Sequence, residues 1–192
     1  MLRGYPHQSS PLIKAVERRL AGMEGRSVTL RFLPALTADR RRLYSNRKRG
    51  EPVHAASYIR KRRIVLDREL AQQPQELARI LVHELFHFAW VRLGNPARRS
   101  YDALVREEWR QRARGELGWS AESRKLTLWD HRSLGAAAQA GWREYICESF
   151  CDTAAFLYSG VRRHPEYTLA ARHRNRRAEW FRVAFERGAI PI

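Results

Sequence analysis

The segment His83-Glu84-Leu85-Phe86-His87 constrains this chain more than any other. Its H-E-x-x-H pattern lies in an apolar run containing Leu77, Ile80, Leu81, Leu85, Phe88, Ala89 and Trp90. The run predicts a helix from Pro74 to about Leu93, stopped by Gly94-Asn95-Pro96. On a helix, residues four apart share a face, so both imidazoles point the same way. Two histidines and a glutamate in a buried helix need polar partners, because unpaired buried polar groups are costly. A metal ion is the simplest partner that they can share. Two imidazole nitrogens can hold one Zn²⁺ at about 2.0–2.1 Å each. Glu84 beside them can take a proton from a water that the metal activates. Together these roles describe a zinc hydrolase, most often a peptidase.

A catalytic zinc usually has three protein ligands and one open position. The segment from Trp142 to Tyr158 has helical periodicity and carries Glu144, Glu148 and Asp152 four residues apart. Three acids on one face of a half-buried helix repel one another unless positive charge lies opposite. A zinc ion on the first helix would supply that charge. His131 is a competing third ligand. Taken together, His83-Glu84-Leu85-Phe86-His87 and Glu148-Ser149-Phe150-Cys151-Asp152 resemble the gluzincins, zinc peptidases that read H-E-x-x-H and then E-x-x-x-D on a second helix. The resemblance implies a zincin-like fold in which His83, His87 and Glu148 bind zinc and Glu84 is the general base. It also implies that Asp152 accepts a hydrogen bond from His83, which sets that ring's tautomer. Glu148 is preferred to Glu144 because Asp152 then completes the pattern. His131 ranks lower, since it sits in a polar segment without the flanking pattern of three-histidine peptidases.

A tetrahedral oxyanion would need a further donor. His173, Tyr145, Tyr158 and Tyr167 are candidates, and His173 is preferred because it follows the second ligand helix. Cys147 and Cys151 are the two cysteines. They read as reduced, buried structural residues, since a disulfide at this spacing in a regular helix is geometrically awkward. Reduced thiols and the lack of an apolar leader at Met1-Leu2-Arg3-Gly4 point to the cytoplasm. No stretch is long and apolar enough to span a membrane.

The 192 residues carry a net charge of +17, almost all of the positive charge being arginine. Such a balance raises the prospect of an acidic partner. The basic residues are dispersed, however, and match no nucleic-acid module, so nucleic acid is not the favoured partner. A peptide or protein substrate is. The alternative is a non-catalytic, zinc-stabilised module that binds nucleic acid or a protein through its arginines.

The pattern along the chain predicts one α+β domain over 1–192. Residues 1–73 hold a helix over Pro11–Met23, with Ser10 as its cap, then strands over Ser27–Leu33, Ala55–Ile59 and Arg63–Leu66. The stretch Arg40–Pro52 reads as a polar loop, and Arg60-Lys61-Arg62 as a hairpin turn. The motif helix covers 74–93. Residues 94–135 form an inserted region, with a helix over 97–115 and a long loop or short hairpin over Gly115–Gly135. The helical part over 136–192 holds the third ligand on Ala136–Ser159 and ends in a helix over 165–187. By the resemblance, Arg63–Leu66 lies beside the cleft and offers its edge to an extended substrate.

Overall fold

The computed structural model describes residues 2–40, 42–46, 50–130, 136–186 and 188–192. It is a mixed α+β fold with six helices and small sheets among the described residues. The N-terminal part supplies β1 (Leu2–Arg3), α1 (Ser10–Arg19), β2 (Met23–Glu24) and β3 (Val28–Leu33). It continues through β4 (Leu36–Asp39), β5 (Arg42–Ser45), β6 (Glu51–Pro52), β7 (Ala55–Tyr58) and β8 (Arg63–Asp67). The rest is helical: α2 (Pro74–Arg92), α3 (Asn95–Arg110), α4 (Trp119–Asp130), α5 (Ala136–Tyr158) and α6 (Ala171–Phe185), closed by β9 (Ile190–Pro191).

The main sheet has the order β1-β3-β8-β7. Strand β3 is parallel to both β1 and β8, while β7 runs antiparallel to β8 with Tyr58 opposite Arg63. The predicted hairpin is present, and Arg62 takes the left-handed conformation at its turn (φ 49°). Strand β9 pairs with β2 and returns the C-terminus to the N-terminal part.

Helix α2 is apolar nearly all round because it is sandwiched. Leu77, Leu81, Val82, Leu85, Phe86 and Phe88 are almost fully buried, between the sheet and α5. A helix without a polar face has no side to offer water. Phe86 of α2, Phe150 of α5 and Phe181 of α6 meet as rings 4.9–6.1 Å apart, locking α2, α5 and α6 together. Among the described residues, no helix is long and apolar enough to cross a membrane.

Several expectations are corrected, including the helices expected over 97–115 and 165–187, which run Asn95–Arg110 and Ala171–Phe185. The first helix starts at Ser10, with Ser9 in the cap position, and stops at Arg19. The polar stretch over 40–52 contributes β5 and β6 to a second sheet of order β5-β4-β6. Neither strand carries an apolar alternation, so the sequence holds no periodic signal for them. Gly50 (φ 85°) makes the return to β4, where a Cβ would lie 2.3 Å from the Ala38 carbonyl oxygen. The expected loop over 115–135 contains α4. That helix lacks a side-chain cap of its own in sequence, and its first N–H groups are held by distant carboxylates: Trp119 N–H donates to Glu166 and Ala121 N–H to Asp152.

Candidate metal centre

His83 and His87 lie one turn apart on α2, their ring centroids 4.9 Å from each other. Helix α5 crosses them with Glu148 and Asp152, also one turn apart. Glu148 Oε2 stands 3.2 Å from His83 Nε2 and 3.8 Å from His87 Nε2. The two Nε2 atoms are 3.2 Å apart. Three donor atoms thus converge from two helices. On the far side of the His83 ring, Nδ1 meets Asp152 Oδ1 at 2.7 Å. A proton held on Nδ1 by Asp152 would leave Nε2 as the atom of His83 available to a metal.

Asp152 is almost wholly buried and serves two elements at once. Its Oδ1 takes the His83 contact, and its Oδ2 accepts the Ala121 N–H of α4 at 2.9 Å. Residue 118 must be glycine for α4 to come this close, because a Cβ there would lie 2.3 Å from the Asp152 carboxyl group.

His83, His87 and Cys151 bring donor atoms within 4.8 Å of one another, so this group could hold a metal ion. The Glu148 set is the tighter one. Cys151 Sγ and Cys147 Sγ lie 3.5 and 3.6 Å from His87 Nδ1, on the opposite side of the ring from Nε2. A single ion cannot use both sides of one imidazole, and only the Nε2 side faces His83 and Glu148. Both cysteines are free thiols.

The electrostatics follow from this crowding. Burial disfavours charge on His83, yet Asp152 and Glu148 outweigh it and raise its pKa well above the usual value. Burial likewise opposes charge on His87, but the Cys147 hydrogen bond and Glu148 raise it to about 9. Burial pushes Glu148 up, and the His83 hydrogen bond with the two imidazoles pulls it down to about 2. The two imidazoles and the carboxylates thus stabilise one another's charged forms.

Glu84 points away from the two histidines toward the sheet edge. Ser57 of β7 donates to Glu84 Oε2 at 2.6 Å. Two adjoining cavities of about 350 and 410 Å³ share Val53, Ala55, His83, Glu84, Arg124 and Glu148 in their walls. Strand β7 forms one rim of this cleft, and Ser120 and Arg124 of α4 form the other. The cleft edge is thus β7 and not the expected Arg63–Leu66. That segment, in β8, is paired on both sides, by β3 and by β7.

The structure brings together His83, Glu84, His87, Glu148 and Asp152. It does not bring His173. That residue is 1% exposed on α6, with Nδ1 4.0 Å from Glu108 and Nε2 receiving a hydrogen bond from Arg172. Burial lowers its pKa, and the arginines beside it add to the effect. Among the tyrosines, Tyr145 is hydrogen-bonded to Glu116, Tyr158 stacks on Phe86, and Tyr167 packs on Phe156. None of the three lines the cleft. Glu144 is exposed, 3.5 Å from Arg124, and His131 lies outside the described residues. Sequence reasoning missed Ser57, Arg124 and Gly118, which carry no local pattern and acquire a role only through packing.

No protein-family model, no curated protein and no solved structure matches this chain.

Proposed function

We propose that this protein is a zinc-dependent, zincin-like peptidase of the gluzincin type. The observation that carries the reading is the convergence of His83 Nε2, His87 Nε2 and Glu148 Oε2 at 3.2–3.8 Å from one another, in the wall of an open cleft that also holds Glu84. Ligands at about 2.0–2.1 Å in a tetrahedron are spaced by roughly 3.4 Å, so the donor set suits zinc. Two imidazoles and one carboxylate leave a fourth position for water or substrate, whereas a structural zinc site would be closed by protein.

Zn²⁺ supplies Lewis acidity, polarising a carbonyl and making water a stronger acid. The chain's own groups do the rest. Glu84 takes the proton of the attacking water and returns it to the leaving amine, so that one peptide bond and one water become an acid and an amine. The Ser57 hydroxyl holds one carboxylate oxygen of Glu84 and leaves the other for that proton. Asp152 keeps the His83 lone pair directed at the centre. The rim strand β7 has a free backbone edge, along which an extended peptide can add as a further strand. Arg124, on the opposite rim, is placed to stabilise charge on the substrate carbonyl oxygen, in the role first expected of His173.

Purified protein is expected to contain about one zinc per chain by mass spectrometry, and Glu148→Ala to lose most of it. Retention of a full zinc complement in that variant would exclude Glu148 as a ligand and return the choice to the thiols. Asp152→Asn tests the supporting contact. It is expected to weaken zinc binding by about 10–100-fold in a chelator competition assay, because the amide can donate to the ring nitrogen as readily as accept from it. Unchanged affinity would show that His83 needs no such partner.

A further inference from the structure

Seven arginines line two cavities that lie apart from the cleft. Three indoles form a row where α3, α4 and α5 meet. The Trp109 ring lies 5.4 Å from Trp129 and 5.3 Å from Trp142, between centroids. A cavity opens on each side of the Trp109–Trp142 contact. One, of about 470 Å³, is walled by Trp109 and Trp129 with Arg110, Arg112 and Arg114. The other, of about 390 Å³, is walled by Trp90 and Trp142 with Arg98, Arg99, Arg106 and Arg143. None of these side chains lines the cleft at His83 and Glu84.

Arg98 is held by Asn95 Oδ1 and the Trp90 carbonyl, and the other six arginines divide into two groups. Arg106 and Arg110 are paired with Asp102 and Glu107. Arg106 is also stacked 4.6 Å from the Trp142 ring. By contrast, Arg99, Arg112, Arg114 and Arg143 are exposed and have no carboxylate partner among the described residues. Trp129 is 37% exposed. Trp90, Trp109 and Trp142 pack against the core, whereas Trp129 lies outside it and is exposed beside the unpaired arginines. Flat π surfaces beside unpaired guanidinium groups suit a polymer with aromatic bases and phosphates, provided the bases are free to leave their own stack. Duplex bases are not free in this way.

We propose that this face binds single-stranded nucleic acid, with a base stacking on the exposed Trp129 indole and phosphates resting on the unpaired arginines. This is independent of the peptidase reading, because no residue of the metal centre takes part.

The test is fluorescence anisotropy of the full chain with labelled oligo(dT), oligo(rU) and a duplex, each of about 15 nucleotides, over a salt series. At least one single strand is expected to bind more tightly than the duplex, with a log–log salt slope of about −2 to −4 for a handful of phosphate contacts. A preference for either polymer supports the proposal and names the strand. Trp129→Ala is expected to weaken binding by about tenfold or more, from the loss of one stacking platform. Arg112→Glu with Arg114→Glu should weaken it and flatten the slope. Arg162→Glu with Arg163→Glu makes the same charge change on exposed residues elsewhere and should alter affinity by less than about threefold. Glu84→Gln should leave binding intact. Duplex bound as tightly as single strand, no binding at low salt, an unaffected Trp129→Ala, or equal losses in the two arginine pairs would each overturn the proposal.

Discussion

Replacing Glu84 by glutamine is expected to lower kcat/KM on an unstructured peptide by about 10²–10⁴ while zinc content stays unchanged. The substitution keeps the volume of the side chain, and its amide can still accept the Ser57 hydrogen bond that Glu84 accepts at 2.6 Å. It removes only the capacity to take and return a proton. His83, His87 and Glu148 are untouched, so the measurement separates the base from the ligands. Full activity in the variant would end the assignment of Glu84 as base. Zinc bound in wild type and variant alike, with no turnover in either, would favour the alternative of a zinc-stabilised binding module.

Arg177→Met is expected to destabilise the fold by about 3–5 kcal/mol, or roughly 10 °C in Tm. Arg177 is completely buried and bridges two carboxylates, Glu108 at 2.6 Å and Glu116 at 2.7 Å. Lys125 reaches Glu116 at 3.0 Å, and the Tyr145 hydroxyl donates to the same carboxylate. Two cations therefore balance two anions at the junction of α3, α4, α5 and α6. Methionine matches the arginine stem but leaves Glu108 without its cation and Glu116 with Lys125 alone, in a dry interior where the cost of an unpaired ion is largest. Arg182→Ala serves as the contrast, because its ion pairs with Glu179 and Glu186 lie in solvent and should hardly move the midpoint. Equal midpoints for the two variants in thermal denaturation would show that the buried network contributes no more than the surface pairs.

The same network sets an acid limit. Burial raises the Glu116 pKa, but Arg177 and Lys125 outweigh it and hold it below the ordinary carboxylate range. Its stabilising contribution is therefore complete above its unfolded value, about 4.3, and is lost as pH falls through the lower folded value.

What could be read from the residues alone depended on local spacing. The i, i+4 histidines, the i, i+4 pair of Glu148 and Asp152, and the apolar run of α2 are periodic features, and a helix turns such periodicity directly into a shared face. Strands β3, β7 and β8 were legible for the same reason, through apolar content or alternation over short spans bounded by turns. The features that escaped have no period. Helix α4 is capped by Asp152 and Glu166 from elsewhere in the chain, so its start is invisible locally. Strands β5 and β6 each pair with β4 and contain no buried residue to impose a pattern.

His173 shows the opposite failure. A histidine among arginines on a late helix looked available for chemistry, yet α6 turns it into the interior beside Glu108. The sequence by itself determined the donors, their pairing on two helices and the acid placed beside them, because those are contacts within one or two turns. Only the tertiary structure decided that α5 crosses α2 with Glu148 and Asp152 at His83. It also put the free rim of the cleft at β7 rather than β8, and closed α4 over Asp152 at Gly118. Each of those outcomes rests on the packing of elements remote in sequence, and nothing in short-range periodicity encodes which side of a sheet or helix a distant segment will cover.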